Sequence, residues 1–143
     1  MYTTFWMLLP TNNSSVPKYS WTIFACSAAF IILFFSTIPL QLPPIDTGQL
    51  SVDKLLHSTA YFILSSCVGL SLWLDWHKTS IRKIVFSAVF LFGMILEIIQ
   101  EYALSYRTFE VYDLLANSLG IITFLVTGKT IKKIVVKSGI FIN

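Results

Sequence analysis

The sequence predicts an all-α integral membrane protein, a bundle of four transmembrane helices with both termini cytoplasmic. Three observations lead there. Only 12% of the 143 residues are charged, where a soluble domain carries about 25%. Hydrophobic residues make up 55% and the mean hydropathy is +0.74, with uncharged runs on the scale of the ~20 residues a helix needs to cross a bilayer. The basic residues, finally, divide unevenly between the two sides that four crossings define.

Residues 1–20 read as an N-terminal interfacial or weakly ordered segment, because "MYTTFWMLL" is apolar only as far as Pro10 and lacks the basic start of a secretory signal. Residues 21–128 hold the four spans. The first runs from Trp21 to Leu40, inside a stretch without charge between Lys18 and Asp46, and Pro39, Pro43 and Pro44 end it. The second covers Leu55 to Leu74. The third starts at Ile84 and reaches Leu104 only if Glu97, Gln100 and Glu101 are admitted near its end. The fourth, Leu114 to Gly128, has 15 uncharged residues, short for a bilayer core of about 30 Å unless Lys129 snorkels and Asp113 sits at the interface. Residues 129–143 form a basic cytoplasmic tail.

Four spans put the N-terminus, the second connection and the tail on one side. That side carries Lys18, Lys78, Arg82, Lys83, Lys129, Lys132, Lys133 and Lys137, and the other only Lys54 and Arg107. The positive-inside rule makes the lysine-rich side cytoplasmic. The acids divide the same way, with Asp75 inside and Asp46, Asp53, Glu97, Glu101, Glu110 and Asp113 outside. The lysines of "KTIKKIVVK" suit a membrane surface, and no folded basic domain is available to hold nucleic acid. Cys26 and Cys67 lie in separate apolar runs without CxxC spacing, which predicts two small buried hydrophobes.

With direction assigned, three helix ends meet at the outer face. Residues three or four apart share a helix face, which gives one stripe of Asp53, His57, Tyr61, Ser65 and Gly69. A second holds Gly93, Glu97, Gln100 and Glu101, and a third Asp113, Asn117 and Gly120. Gly69, Gly93 and Gly120 allow close helix approach, as packing in lipid favours. An ionisable residue within the bilayer costs roughly 2.5 to 3.5 kcal/mol even on a gentle insertion scale. Glu97, about 20 Å along its helix from Ile84, is therefore expected to face its neighbours and not acyl chains.

The order "DKLLHSTAYFIL", "EIIQ", Arg107, Asp113 and "ANSLG" resembles the VanZ-like family of small bacterial membrane proteins, with its DKxxHxxxY, ExxQ and R…D…N..G pattern. The resemblance covers about residues 40–124 and falls on Asp53, Lys54, His57, Tyr61, Glu97, Gln100, Arg107, Asp113, Asn117 and Gly120. Where that family often has a Pro shortly before the Arg, this chain has "LSYR". The resemblance implies a multi-pass protein of the bacterial cytoplasmic membrane, linked to susceptibility to the lipid-tailed glycopeptide teicoplanin, with no reaction securely assigned.

Each residue also has a plainer reading. Asp53 and Asp113 can cap helix N-termini. Lys54 and Arg107 can snorkel, pair with the outer acids, or contact an anion beside two helix N-termini. The two histidines fall on opposite sides, which rules out a pair of them in one metal site. A hydrogen bond from His57 to a carboxylate is favoured over a mixed metal site of His57, Glu97 and Asp113. Tyr61, Trp73 and Trp76 read as interface anchors, and Gln100 and Asn117 as hydrogen-bonding partners across helices. No metal or cofactor is assigned.

Three functions follow. The first is a binding or accessory module for a membrane lipid, a lipid-linked envelope component or a lipophilic glycopeptide. The second is a cluster that only locks helices together. The third is a membrane-embedded hydrolase or transferase using His57 and Glu97 as acid and base, for which neither GxSxG nor a Ser/Lys pair supplies a nucleophile. The four short helices carry no inverted repeat, which disfavours a transporter, and the sequence leaves the oligomer open.

Overall fold

The computed structural model describes residues 18–38, 52–72, 79–105 and 108–137. Among them all regular structure is helical: α1 Lys18–Thr37, α2 Val52–Ser71, α3 Thr79–Ala103 and α4 Val111–Lys137. The prolines expected to end the first span, together with Trp73, Trp76, His77, Arg107 and the first 17 residues, lie outside the described residues.

Three helices are long and apolar enough to cross a membrane: α1 over Tyr19–Thr37, α3 over Thr79–Ala103 and α4 over Val111–Val135. The expected second span is not among them. Asp53, Lys54, His57 and the serines at 58, 65, 66 and 71 lower the hydropathy of α2. A second difference concerns α4, which continues through Gly128 and Lys129 to Lys137. At 27 residues it is about 40 Å long, so the shortfall expected of the fourth span does not exist. The snorkelling expected of Lys129 is compatible with this continuation, since a lysine stem can follow an apolar helix surface with its ammonium directed outward.

α2 lies between α1 and α4 and packs most extensively on α4. The two run in the same direction, because Lys54 meets Asp113, His57 meets Asn117, and Phe62 meets Phe124. Going deeper along one helix goes deeper along the other. α3 runs the opposite way: Glu101 meets Phe109, and the Gly93 site adjoins Asn117. The short connection at residues 104–110 requires this, since it can join only antiparallel neighbours. Gln100 reaches the Ser36 carbonyl, which sets the C-terminal end of α1 beside that of α3. One pole of the bundle therefore gathers the C-terminal ends of α1 and α3 and the N-terminal ends of α2 and α4.

Below this pole, Tyr61, Leu64, Val85, Val89, Ile121 and Phe124 form the buried core, with Ala28, Ala29 and Ile32 of α1 against it. The outside is apolar, with Phe30, Phe34, Ile63, Leu91, Ile95, Leu119 and Val126 exposed on four different helices. Such a surface far exceeds the isolated apolar patches of a soluble monomer. Within it, side-chain hydroxyls turn back to their own helices: Ser65, Ser118, Thr123 and Thr127 each donate to the carbonyl four residues earlier. That satisfies polar groups without water, as an apolar solvent requires. The cysteines differ from expectation, since Cys26 is exposed on α1 and Cys67 only half-buried. Both are small enough to stand on a face turned to an apolar medium.

Close approach depends most on Gly120. A Cβ there would overlap the Ser58 carbonyl oxygen and come within 2.9 Å of the Phe62 nitrogen, so the α4 backbone lies directly on that of α2. At Gly93 the added atom would meet side chains instead, Tyr61 Oη at 2.9 Å and Asn117 Nδ2 at 3.0 Å. Gly69 is buried on the inner face of α2.

Candidate functional site

Asp53 and Asp113 stand in the first turns of α2 and α4. Carboxylates are favoured there by the positive end of the helix dipole, but both residues lie inside their helices, not at the capping position, and their side chains serve the partner helix. Because α2 and α4 are parallel and in register, these two turns sit side by side.

Lys54 joins them. Its ammonium donates to Glu110 Oε2 at 2.6 Å, to Asp53 Oδ2 at 3.2 Å, and to Asp113 Oδ1. The side chain is 21% exposed while that of Asp113 is 4% exposed, so this contact runs from the surface into the bundle. One positive charge meets three negative ones, which leaves the group acidic. An anion contact through Lys54, one option in the sequence, is opposed by these carboxylates.

The second oxygen of each aspartate points to His57. Its Nε2 stands 3.8 Å from Asp53 Oδ1 and 3.8 Å from Asp113 Oδ2. Both separations exceed a hydrogen bond. The other ring nitrogen, Nδ1, is hydrogen-bonded to Asn117 Oδ1 at 3.1 Å. Asn117 is buried at 1% exposure, and its Nδ2 has no hydrogen-bond partner among the described residues.

One turn deeper the character changes. Tyr61 is 2% exposed, a core residue where an interface anchor was expected. Its phenol lies within electrostatic range of Glu97, itself buried on α3. Gln100, also buried, donates through Nε2 to Ser36 O at 2.8 Å, so the cross-helix roles expected of Gln100 and Asn117 are both present. Glu101 is the exception in its stripe: it is exposed, and its carboxylate accepts the Phe109 N–H, which fixes the turn into α4.

The structure thus brings together Asp53, Lys54, His57, Asp113 and Asn117 from the expected set, with Tyr61 one turn deeper and Glu97 and Gln100 buried on the last turns of α3. Arg107 lies outside the described residues. The carboxylates beside His57 are Asp53 and Asp113, and Glu97 is paired by position with Tyr61. Sequence reasoning missed two participants. Glu110 stands one residue before α4, where the sequence marks it only as one of the outer acids. The Ser36 carbonyl carries no side-chain signal at all.

Chemically, this is a pre-arranged set of carboxylate and imidazole donors at a helix pole, half open through Asp53. No family model matches the chain, and no curated protein or solved structure matches it.

Proposed function

We propose that the chain is a four-crossing protein of the bacterial cytoplasmic membrane, of the VanZ-like kind. Its polar pole faces outward and serves as a binding or accessory site for a lipid-linked envelope component or a lipophilic glycopeptide such as teicoplanin. The observation that carries this reading is the meeting of Asp53, Lys54, His57, Asp113 and Asn117 at one pole of an otherwise apolar bundle. The parallel register of α2 with α4 supports a fourth crossing. A helix packed along a membrane-spanning neighbour through His57, Gly120 and Phe124 is at the same depth as that neighbour, whatever its own hydropathy. The excess of carboxylate suits a cationic or hydroxyl-rich headgroup.

Teicoplanin susceptibility of cells with and without the chain tests the reading. His57→Ala and Asp113→Asn are expected to abolish the difference at unchanged protein level in the membrane. No difference between cells with and without the wild-type chain overturns it.

One observation favours a second reading, that the cluster only locks helices. Lys54 ties α2 to α4 through charges supplied by the bundle itself. That reading expects every substitution to lower membrane abundance in parallel with activity.

A further inference from the structure

We propose that Asp53 Oδ1, His57 Nε2 and Asp113 Oδ2 bind a divalent transition-metal ion of the Mn2+ to Zn2+ series, a set distinct from the mixed site with Glu97 considered in the sequence. One ligand atom from each of Asp53, His57 and Asp113 lies within 4.8 Å of one from each of the others. Two ligand atoms each about 2.1 Å from a metal stand about 3.4 Å apart at the tetrahedral angle and about 4.2 Å apart when opposite. The two separations of 3.8 Å from Nε2 fall in that interval. They do not fit the competing arrangement of a protonated imidazole, which would close on one carboxylate to hydrogen-bond distance. Here Nε2 is equidistant from both.

Asn117 supplies an independent reason. Its buried side chain gives Oδ1 to His57 Nδ1 while Nδ2 goes without a partner. An orphaned buried amide is costly, so this orientation needs a compensating use. With Oδ1 as the acceptor, Nδ1 donates and the Nε2 lone pair faces two carboxylates, an arrangement that a metal ion between them stabilises. Metal-bound histidines are held in this way, with the second nitrogen donating to an oxygen acceptor.

The remaining carboxylate oxygens are equally constrained. Lys54 takes Asp53 Oδ2 and Asp113 Oδ1, so each aspartate has one oxygen anchored and one free for an ion. With Glu110 the group carries a formal excess of two negative charges, which a divalent ion neutralises. An imidazole donor selects transition ions over Ca2+ and Mg2+. Three protein ligands leave a coordination position open, and Asp53, whose side chain is 36% exposed against 4% for Asp113, marks the side from which it is reached. The inference deepens the binding reading by naming what the pole holds first.

The test uses the full chain in detergent, stripped of metal and titrated with Co2+, followed by visible absorption and then by displacement with Zn2+. The expected result is a Co2+ spectrum saturating at one ion per chain. Affinity should fall at least about tenfold in His57→Ala and Asp113→Asn, and by about 10- to 100-fold in Asn117→Ala, which touches no metal. Helical content and monodispersity are checked for each variant. Absence of a Co2+ spectrum in the wild type overturns the proposal, and so does equal binding by a folded Asp53→Asn/Asp113→Asn variant. If His57→Ala does not fold, Asp53→Asn replaces it. No envelope component is present in this assay, so metal binding and susceptibility fail independently.

Discussion

Two glycines that look alike in the sequence have different consequences at the residue scale. Gly120→Ala places its methyl on the α2 backbone at Ser58 and Phe62, which cannot move without parting the helices. Overpacking of this kind costs about 1 to 3 kcal/mol, and unfolding in mixed micelles should read a loss of about 2 kcal/mol. Gly93→Ala meets only the Tyr61 ring edge and the Asn117 amide. Alanine is the better helix former by about 1 kcal/mol, so stability is expected to change little. The displaced Asn117 should nonetheless weaken Co2+ binding in the same preparation. The sequence foretold that small residues would sit at helix contacts, because glycine in an apolar helix has few other uses. It did not distinguish backbone contact from side-chain contact, since that depends on which residue of the partner lies opposite.

At the scale of elements, the pairing of α2 with α4 depends on one ammonium among three carboxylates. Lys54→Met leaves Asp113, buried at 3% exposure, without its cation. Exposed pairs contribute about 0 to 1 kcal/mol and the breaking of buried ones costs about 3 to 5 kcal/mol. This half-buried group is expected to lose about 2 kcal/mol, measured by unfolding in micelles. Adding Asp113→Asn should recover part of the loss, and simple additivity of the two substitutions would contradict the coupling. The stripes of α2 and α4 were legible because a three-to-four spacing survives in any helix: Asp53, His57, Tyr61 and Ser65 become steadily more buried along the helix, as their order suggests. Partner choice was less legible. The sequence offers both Glu97 and Asp113 as neighbours of His57, and the parallel register puts Asp113 and Asn117 opposite it, because register is a property of two helices together. Gln100 finds a backbone carbonyl in α1, and no residue type in α1 announces it.

For the whole molecule, the number of crossings decides whether the two ends lie on one side of the membrane or on two. Among the described residues hydropathy alone counts three, since α2 falls short. Three crossings would set the ends on opposite sides. Packing supports the fourth crossing proposed above: α2 meets α4 at the level of Lys54 and Asp113 and again at Phe62 and Phe124, eight and eleven residues further along the two helices by their numbering, as expected of helices that run side by side through one layer. Most of the polar residues of α2 also need not meet lipid, because Asp53, His57, Tyr61 and Ser65 turn inward while Leu55, Leu56 and Ile63 are exposed. A helix buried on its polar face can cross at a mean hydropathy that would be too low for an isolated span. Reporter fusions at residues 1 and 143, active only on one side of the membrane, are expected to give the same cytoplasmic result. A fusion in the connection after α3 should report the outer side. Opposite readings from the two ends would restore three crossings and move the polar pole, with its histidine and carboxylates, to a helix lying along the membrane surface.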